Sequence, residues 1–422
     1  MKLNKYKLGE LVEVTRGASL SGQFYAEEGE LIRLTLGNFN MNGGGFKENT
    51  SKTDLYYTGT VKDEFILNKG DIITPLTEQS LGLLGTTARI PESGKYIQSQ
   101  DVALVKCKEG LLDPNFCYYL ISSSVVRQQL SAGAQQTKIR HTSPDKIKDC
   151  TVWMPDLEEQ KRIGRILIDI DEKITLNRQI NDNLEEQLRL ITSHYIFCSP
   201  NLEKKRIGDI AMVKAGGDCP IIFSKTRTQE CNIPIFSNGT ENRGLYGFTD
   251  KAAIEERSIT VAARGTIGYC ERRLKPFVPI IRLLAITPKD EGAYIYLHQV
   301  IKGMKFKKNG SVQQQLTVPE ISFIEIPYPN SSVLSEYNKL ANPIVEMIER
   351  NISENESLTK QRDELLPLLM NGQASVNYHL SLHLPIPCFI LLEVENTKNY
   401  DWRRRQDQEA CSQSSYTARR GK

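Results

Sequence analysis

Two long stretches of the chain repeat apolar residues at alternating steps of four and three. The first stretch covers residues 156–191, and its seam consists of Ile163, Leu167, Ile170, Ile174, Asn177, Asn181, Leu184, Leu188 and Ile191. The same steps recur later in Tyr337, Ala341, Ile344, Ile348, Asn351, Asn355, Leu358, Arg362 and Leu365. An average spacing of 3.5 residues is typical of a helix that packs along another helix. The pattern therefore predicts two long helices that pair with each other.

Each seam contains two asparagines, and they stand at matching steps. Asn177 and Asn181 interrupt the first seam, while Asn351 and Asn355 interrupt the second. A buried Asn costs stability in such a seam and commonly fixes the register and the partner. We therefore expect an antiparallel pair in which Asn177 faces Asn355 and Asn181 faces Asn351.

The segments before the two helices also repeat. Lys7-Leu-Gly-Glu-Leu-Val-Glu-Val14 is similar to Arg206-Ile-Gly-Asp-Ile-Ala-Met-Val213, and each half later has an apolar run that ends in a proline, at Pro155 and Pro329. Between these points lie short β-type runs, such as Pro279–Ile286, and a few short helices. The pattern predicts an α+β protein with a pseudo-two-fold internal repeat, in which two mixed α/β globular domains are joined by two long antiparallel coiled-coil-like helices. The expected boundaries are residues 1–155, 156–195, 196–330 and 331–371, followed by a tail at 372–422 that is disordered or loosely docked.

Composition indicates a soluble intracellular protein. The 39% hydrophobic and 25% charged residues are ordinary for a globular chain, and the nine cysteines form no CxxC pair. The amino-terminal residues lack the apolar core of a signal peptide, and the most apolar later run is short and broken by proline. We therefore expect a cytoplasmic protein with no membrane partner.

Candidate catalytic and metal-binding motifs have simpler explanations. No phosphate-binding glycine loop of the common types occurs. The run Pro155-Asp-Leu-Glu-Glu-Gln-Lys161 superficially matches a nuclease motif, but acidic residues at a helix start are better explained by capping. His379 and His383 have metal-like spacing, yet no third ligand stands nearby. The sequence thus predicts no catalytic site, no metal and no cofactor in this chain.

Charge distribution favours nucleic acid as a partner. Between Lys251 and Lys308, twelve basic residues stand against five acidic ones. Gln and Arg can read base edges and Lys can bind phosphates, although each such residue taken singly is more often a solvated surface group. The candidate DNA-binding residues are Thr86, Thr87, Arg89, Gln135, Gln136, Lys138 and Arg140 in the first domain, and Arg264, Thr266, Arg272, Arg273, Lys275, Lys302, Lys305, Lys307 and Lys308 in the second.

The layout resembles the specificity subunit of type I restriction-modification systems over residues 1–371. The resemblance depends on the Glu159-Gln160 entry of the first helix, the Gly-Asp-Ile-Ile turn at 70–73 and the Arg264-Gly-Thr-Ile-Gly268 motif. It implies two target recognition domains (1–155 and 196–330), a central conserved helix (156–195) and a C-terminal conserved helix (331–371). Each domain would read one half of a bipartite double-stranded DNA site, and the rod length would set the spacer.

The resemblance also implies the partners and their cofactors. Two modification subunits, which are adenine methyltransferases, and restriction subunits would bind this non-catalytic chain. S-adenosylmethionine, ATP and Mg would then be used by those partners and not by this chain.

Two features depart from the family pattern. In the second helix Tyr337 follows Glu336 where the motif has Gln, and Pro343 predicts that this helix starts or kinks near Asn342.

Two other functions stay open. A self-contained restriction enzyme would need nuclease and methyltransferase domains, whereas a coiled-coil scaffold whose globular domains bind protein would show no salt-dependent DNA binding.

Overall fold

The chain folds into two compact units in a computed structural model that describes residues 2–40, 44–78, 82–133, 140–198, 202–306 and 315–374. The first unit comprises Met1–Ile174 together with Glu356–Lys422, and the second comprises Thr175–Asn355. Most of the predicted tail, residues 375–422, lies outside the described residues. No helix in the described ranges is long and apolar enough to cross a membrane.

The first unit combines short strands with short helices and the start of a long helix. In chain order its elements are β1 (Asn4–Lys7), α1 (Leu8–Leu11), β2 (Val12–Arg16), β3 (Tyr25–Ala26), β4 (Ile32–Arg33), β5 (Tyr56–Tyr57), β6 (Ile72–Pro75), β7 (Thr77–Glu78), β8 (Ala88–Arg89), β9 (Tyr96–Ile97), β10 (Val102–Cys107), α2 (Pro114–Ser122), α3 (Ser124–Gly133), β11 (Arg140–His141), α4 (Pro144–Lys148), β12 (Thr151–Met154) and α5 (Leu157–Cys198). Its described sheets have the orders β2-β10-β6-β8, β3-β5-β4-β9, β1-β12 and β11-β7. Short 3-10 helices lie at Gly22–Phe24, Leu36–Asn38 and Asp63–Phe65.

The second unit repeats the central part of this topology. Its elements are β13 (Glu203–Arg206), α6 (Ile207–Ile210), β14 (Ala211–Ala215), β15 (Ile233–Phe236), β16 (Leu245–Thr249), β17 (Ser258–Val261), β18 (Cys270–Arg273), β19 (Val278–Pro279), β20 (Leu284–Pro288), α7 (Tyr294–Lys302), α8 (Val318–Ser322), β21 (Glu325–Tyr328) and α9 (Ser331–Met370). Sheet β14-β20-β17-β18 corresponds to β2-β10-β6-β8, and the pair β13-β21 corresponds to β1-β12. A third sheet has the order β16-β15-β19, and 3-10 helices lie at Glu241–Gly244 and Glu291–Ala293. The structure thus shows the internal repeat that the sequence predicts.

The turn at residues 70–73 forms where its glycine motif requires one. Gly70 has φ +90°, a region that glycine enters without strain, and Asp71 accepts the backbone N–H of Asn68 through Oδ2 at 2.8 Å. Strand β6 starts directly afterwards and pairs with β10 in the centre of the sheet. The turn therefore fixes the register of a buried strand.

Both long helices begin at equivalent polar caps. Asp156 Oδ1 accepts the N–H of Glu159, and Asn330 Oδ1 accepts the N–H of Val333, each at 3.0 Å. Counting from these caps aligns Gln160 with Leu334 rather than with Tyr337, so the predicted replacement of Gln by Tyr was wrong. Gln160 is buried and donates to the carbonyl of Pro155 at 3.0 Å.

Pro343 neither starts nor interrupts the second long helix, which runs from Ser331 to Met370. The predicted start near Asn342 is therefore wrong, because the helix begins eleven residues earlier, at Ser331. Pro343 is exposed, whereas Ala341 before it and Val345 after it are buried in one apolar cluster with Tyr337. Burial on both sides of the proline offsets the cost of about 3 kcal/mol for a proline inside a helix.

The asparagines of the seam form amide pairs within the second unit. Asn177 Nδ2 donates to Asn355 Oδ1 at 3.0 Å, and Asn351 Nδ2 donates to Asn181 Oδ1 at 2.8 Å. Asn177 also donates to Glu354 Oε2 at 2.7 Å. This is the antiparallel register that the seam predicts, because each early Asn meets a late one.

Candidate nucleic-acid interface

In the first unit a buried carboxylate organises the loop that follows β7. Glu78 Oε2 accepts the backbone N–H groups of Gly82, Leu83 and Leu84 at 3.2, 3.0 and 3.0 Å. Its other oxygen pairs with Arg140 Nη1 at 3.3 Å, across the ladder between β7 and β11. Arg140, a predicted DNA contact, therefore balances a buried charge and links two neighbouring loops.

Thr87 and Arg89, two of the predicted DNA contacts, contact other residues of the first unit. Thr87 is fully buried and donates its hydroxyl to the carbonyl of Tyr118 at 3.0 Å. Arg89 Nη2 donates to Asn115 Oδ1 at 2.8 Å, and its guanidinium lies 5.0 Å from the centre of the Tyr118 ring. These side chains attach β8 to α2. Thr86 is also buried, so Thr86 and Thr87 cannot reach DNA without a rearrangement of the unit.

The remaining candidates of the first unit, Gln135, Gln136 and Lys138, lie outside the described residues. They belong to the segment between α3, which ends at Gly133, and β11, which begins at Arg140.

The second unit brings a glycine-bounded loop next to a glutamine-rich segment in the same way. Arg264 is exposed and donates through Nε and Nη2 to Gln315 Oε1 at 3.2 and 2.7 Å. The backbone N–H of Leu316 donates to the carbonyl of Ala263 at 3.0 Å. In each unit, therefore, the loop after a central strand contacts the segment that connects two helices. This segment joins α3 to α4 in the first unit and α7 to α8 in the second.

Arg272 and Arg273, two of the predicted DNA contacts, are buried in the second unit, where their side chains contact other parts of the protein. Arg272 pairs with Glu185 of α5 through Nη2, and its Nε lies 3.8 Å from Glu349 Oε1 of α9. Arg273 donates to Thr260 Oγ1 at 2.9 Å. Arg272 thus connects β18 to the two long helices, and Arg273 connects β18 to the neighbouring strand β17.

Lys302 extends this network and is only partly available to a ligand. Its Nζ lies 2.8 Å from Glu185 Oε2. Burial works to raise the pKa of Glu185, but the charges of Arg272 and Lys302 and their hydrogen bonds outweigh burial and lower that pKa to about 2. Burial and the nearby Arg272 charge depress the pKa of His298 well below its usual value, so this neighbour is neutral.

Five of the predicted contacts are exposed in the described part of the second unit, namely Arg264, Thr266, Lys275, Lys302 and Lys305, and of these Lys302 is paired with Glu185. Lys307 and Lys308 lie outside the described residues. The exposed set keeps the cationic character that the charge count indicated, although two arginines belong to the interior.

A turn that the sequence pattern does not predict separates β19 from β20. Residues 279–286 were predicted as one β-type run, but β19 ends at Pro279 and β20 begins at Leu284. Ile281 and Arg282, which lie between them, have positive φ values of 52° and 60°. The one signal in the sequence was a charged residue, Arg282, in the middle of an apolar run.

Among the residues that the structure describes, no group of three or more His, Cys, Asp or Glu side chains is placed to hold a metal ion. His379 and His383 fall outside those residues.

Comparison with known proteins identifies the family. The model of the type I restriction modification DNA specificity domain matches residues 2–186 and 200–365. A Mycoplasma pneumoniae protein assigned as a type I specificity subunit is 24% identical over an aligned length of 362, and the alignment covers 82% of this chain and 90% of the relative. The specificity subunit of the Haemophilus influenzae type I restriction enzyme HindI is 22% identical over an aligned length of 374, and the alignment covers 66% of this chain and 81% of the relative.

A solved structure shares the fold. The S subunit of a type I restriction-modification system from M. genitalium superposes with a TM-score of 0.55 at 20% identity, over 87% of this chain and 96% of that one. The family and these relatives are named for specificity, so the prediction of a non-catalytic subunit is confirmed. With two matched copies that together span most of its length, the chain belongs to the type I restriction-modification DNA specificity family.

Proposed function

We propose that this chain recognises a bipartite double-stranded DNA site and brings two modification subunits and restriction subunits to it. Residues 1–155 and 196–330 would each be a target recognition domain for one half-site, and the long helices at 156–195 and 331–371 would hold the two domains. One observation carries the proposal. Two units that share the same central topology each place the loop after a central strand against the segment that connects two helices, α3 and α4 in the first unit and α7 and α8 in the second.

The chemistry of the exposed loop residues supports DNA as the ligand. Arg264 can donate several hydrogen bonds in one plane, which suits a guanine edge or a phosphate. Lys275 and Lys305 are exposed cations that can bind phosphates. Thr266 is exposed in the same loop as Arg264, where it can donate to phosphate or base.

Methylation supplies the direct test. This chain would be expressed in a methylation-free host with and without its neighbouring methyltransferase subunit, and adenine methylation would be mapped over the genome. We expect a two-part motif with a fixed spacer only when both proteins are present. S-adenosylmethionine, ATP and Mg would be used by the partner subunits.

Each other outcome of that experiment has a distinct meaning. Methylation by this chain alone would contradict the absence of catalysis. A stable complex that adds no methylation and shows no salt-dependent binding to duplex DNA would favour the protein-binding scaffold. A motif with only one specific half would contradict the assignment of one half-site to each unit.

A further inference from the structure

The turn at Ile281 and Arg282 has a backbone that its residue types disfavour. Both residues have positive φ, which crowds the Cβ atom of any residue other than glycine. For the β-branched Ile281 such a conformation is a clear outlier. Strain of this kind persists only where the surrounding structure imposes it, and it is concentrated at sites of function.

Four hydrogen bonds impose this turn. Ile281 and Arg282 donate their backbone N–H groups to the carbonyls of Gly217 and Gly216 at 2.8 and 3.0 Å, and Leu283 donates to Ile280 at 3.0 Å. The side chain of Asn238 donates to the carbonyl of Ile281 at 2.7 Å. The close approach needs glycine on the facing strand, since a Cβ at position 216 would lie 2.6 Å from the backbone of Pro279. The turn is therefore a rigid element.

Ile281 and Arg282 form the tip of the turn, and their side chains indicate a ligand because neither contributes to the core. Ile281 is 49% exposed, and Arg282 is exposed as well. Within the described residues, the Arg282 guanidinium makes no hydrogen bond or ion pair with another side chain. The strain of this turn lowers stability, and within the described residues no contact of the exposed Ile281 and Arg282 side chains offsets it.

The tip lies beside the loop that already carries an exposed candidate contact. Asn238 donates to Ile281 and at the same time accepts the backbone N–H of Ala263 through Oδ1 at 2.7 Å. Arg264 follows directly, and it is exposed. One asparagine thus joins the strained turn to the Arg264–Gly268 loop, so that Arg264, Ile281 and Arg282 belong to one surface.

The first unit has the same turn without these properties. There Ser99 forms the bridge with Ala18, as Ile280 does with Gly217, and Val102 donates to Ser99 at 3.0 Å. The tip residues are Gln100 and Asp101, neither with positive φ. Asp101 accepts the hydroxyl of Thr77 at 3.1 Å. The first unit therefore has a polar, relaxed tip with an acid in place of the cation.

We propose that Ile281 and Arg282 determine base specificity in the half-site read by the second unit. Arg282 donates to a purine edge in the major groove, where Arg is well matched to guanine, and Ile281 packs against neighbouring base edges such as a thymine methyl group. The hydrogen-bonded turn fixes the backbone of both residues before DNA arrives, which lowers the entropic cost of binding. This inference rests on the proposed DNA-recognition function.

The test uses the complete chain with its methyltransferase subunit, and the wild-type methylation motif serves as the reference. Ile281→Gly and Arg282→Gln are the variants, and Gln100→Ala, at the equivalent exposed tip of the first unit, is the matched control. We expect both variants to relax base choice in the half of the motif read by the second unit, with about tenfold weaker discrimination at one or two positions. The other half stays unchanged, and Gln100→Ala methylates the wild-type motif.

A stability measurement separates recognition from structure. Glycine adopts positive φ readily, so Ile281→Gly should melt at or above the wild-type temperature while its specificity relaxes. If both variants keep the wild-type motif, or if methylation falls equally at all bases of both halves, the inference is wrong. No motif from the wild-type complex would instead contradict the proposed function itself.

Discussion

Arg272 offers the sharpest test of how the second unit is held together. The replacement Arg272→Met keeps most of the side-chain volume but removes the guanidinium that pairs with Glu185 and approaches Glu349. Arg272 is 5% exposed, so water cannot readily replace its contacts. We therefore expect a substantial loss of stability from a residue that the charge pattern alone assigned to the surface.

The magnitude follows from the pKa of Glu185. That pKa lies at about 2, against an ordinary value of 4.5. At ~1.4 kcal/mol for each pKa unit, the cations around Glu185 stabilise the fold by about 3 kcal/mol. Lys302 supplies part of this effect, but Arg272→Met also leaves two partly buried carboxylates with one cation fewer, which raises the cost of the substitution. We expect Arg272→Met to lower the free energy of unfolding by about 3 kcal/mol at pH 7.

The pH dependence gives an independent check with a definite sign. A carboxylate whose folded pKa is lowered stabilises the fold above its unfolded pKa and loses that contribution as pH falls through its folded pKa. For Glu185 the window runs from about pH 4.5 down to about pH 2. The difference in stability between wild type and Arg272→Met should therefore shrink as the pH falls through this window.

Urea unfolding of the full chain, followed by far-ultraviolet circular dichroism, measures the difference. Hydrogen exchange at α7 and β18 then assigns it to the second unit, because the two units need not unfold together. Arg264→Met is the matched control, and a change at this exposed arginine should stay within about 0.5 kcal/mol. A cost below that limit for Arg272→Met, or a cost that is equal at pH 3 and pH 7, would refute the reasoning.

Three further predictions concern the register, the first unit and DNA binding. Asn177→Leu removes hydrogen bonds to Asn355 and should lower the free energy of unfolding by about 1–2 kcal/mol, as read from urea unfolding. Glu78→Leu leaves three backbone N–H groups without their acceptor. It should lower the free energy of unfolding by about 3 kcal/mol and speed hydrogen exchange at residues 82–84, after β7. Lys305→Glu should weaken DNA binding by the assembled complex and reduce the slope of log affinity against log salt by about 1, whereas Lys360→Glu on α9 should leave both unchanged in a fluorescence anisotropy titration. An unaltered salt slope for Lys305→Glu would remove this residue from the interface.

Local sequence determined the long helices and how they pair. The seam spacing follows from helical geometry, and a buried Asn needs a polar partner, so the order of residues alone matches Asn177 and Asn181 with Asn355 and Asn351. The repeat was equally readable, since duplicated segments fold into duplicated sheets. The helix seam can be recognised within a single stretch of sequence, and the repeat can be recognised by comparing two stretches.

Only the tertiary structure decided which charged residues are available to a ligand. Arg272 is buried because α5 brings Glu185 to it from a distant part of the sequence, whereas Arg264, eight positions earlier, stays exposed. The break in the apolar run at Ile281 likewise depends on Gly216, Gly217 and Asn238 from other strands and loops. Burial and strain are properties of surroundings assembled from remote segments, so residue type and spacing within one segment cannot determine them.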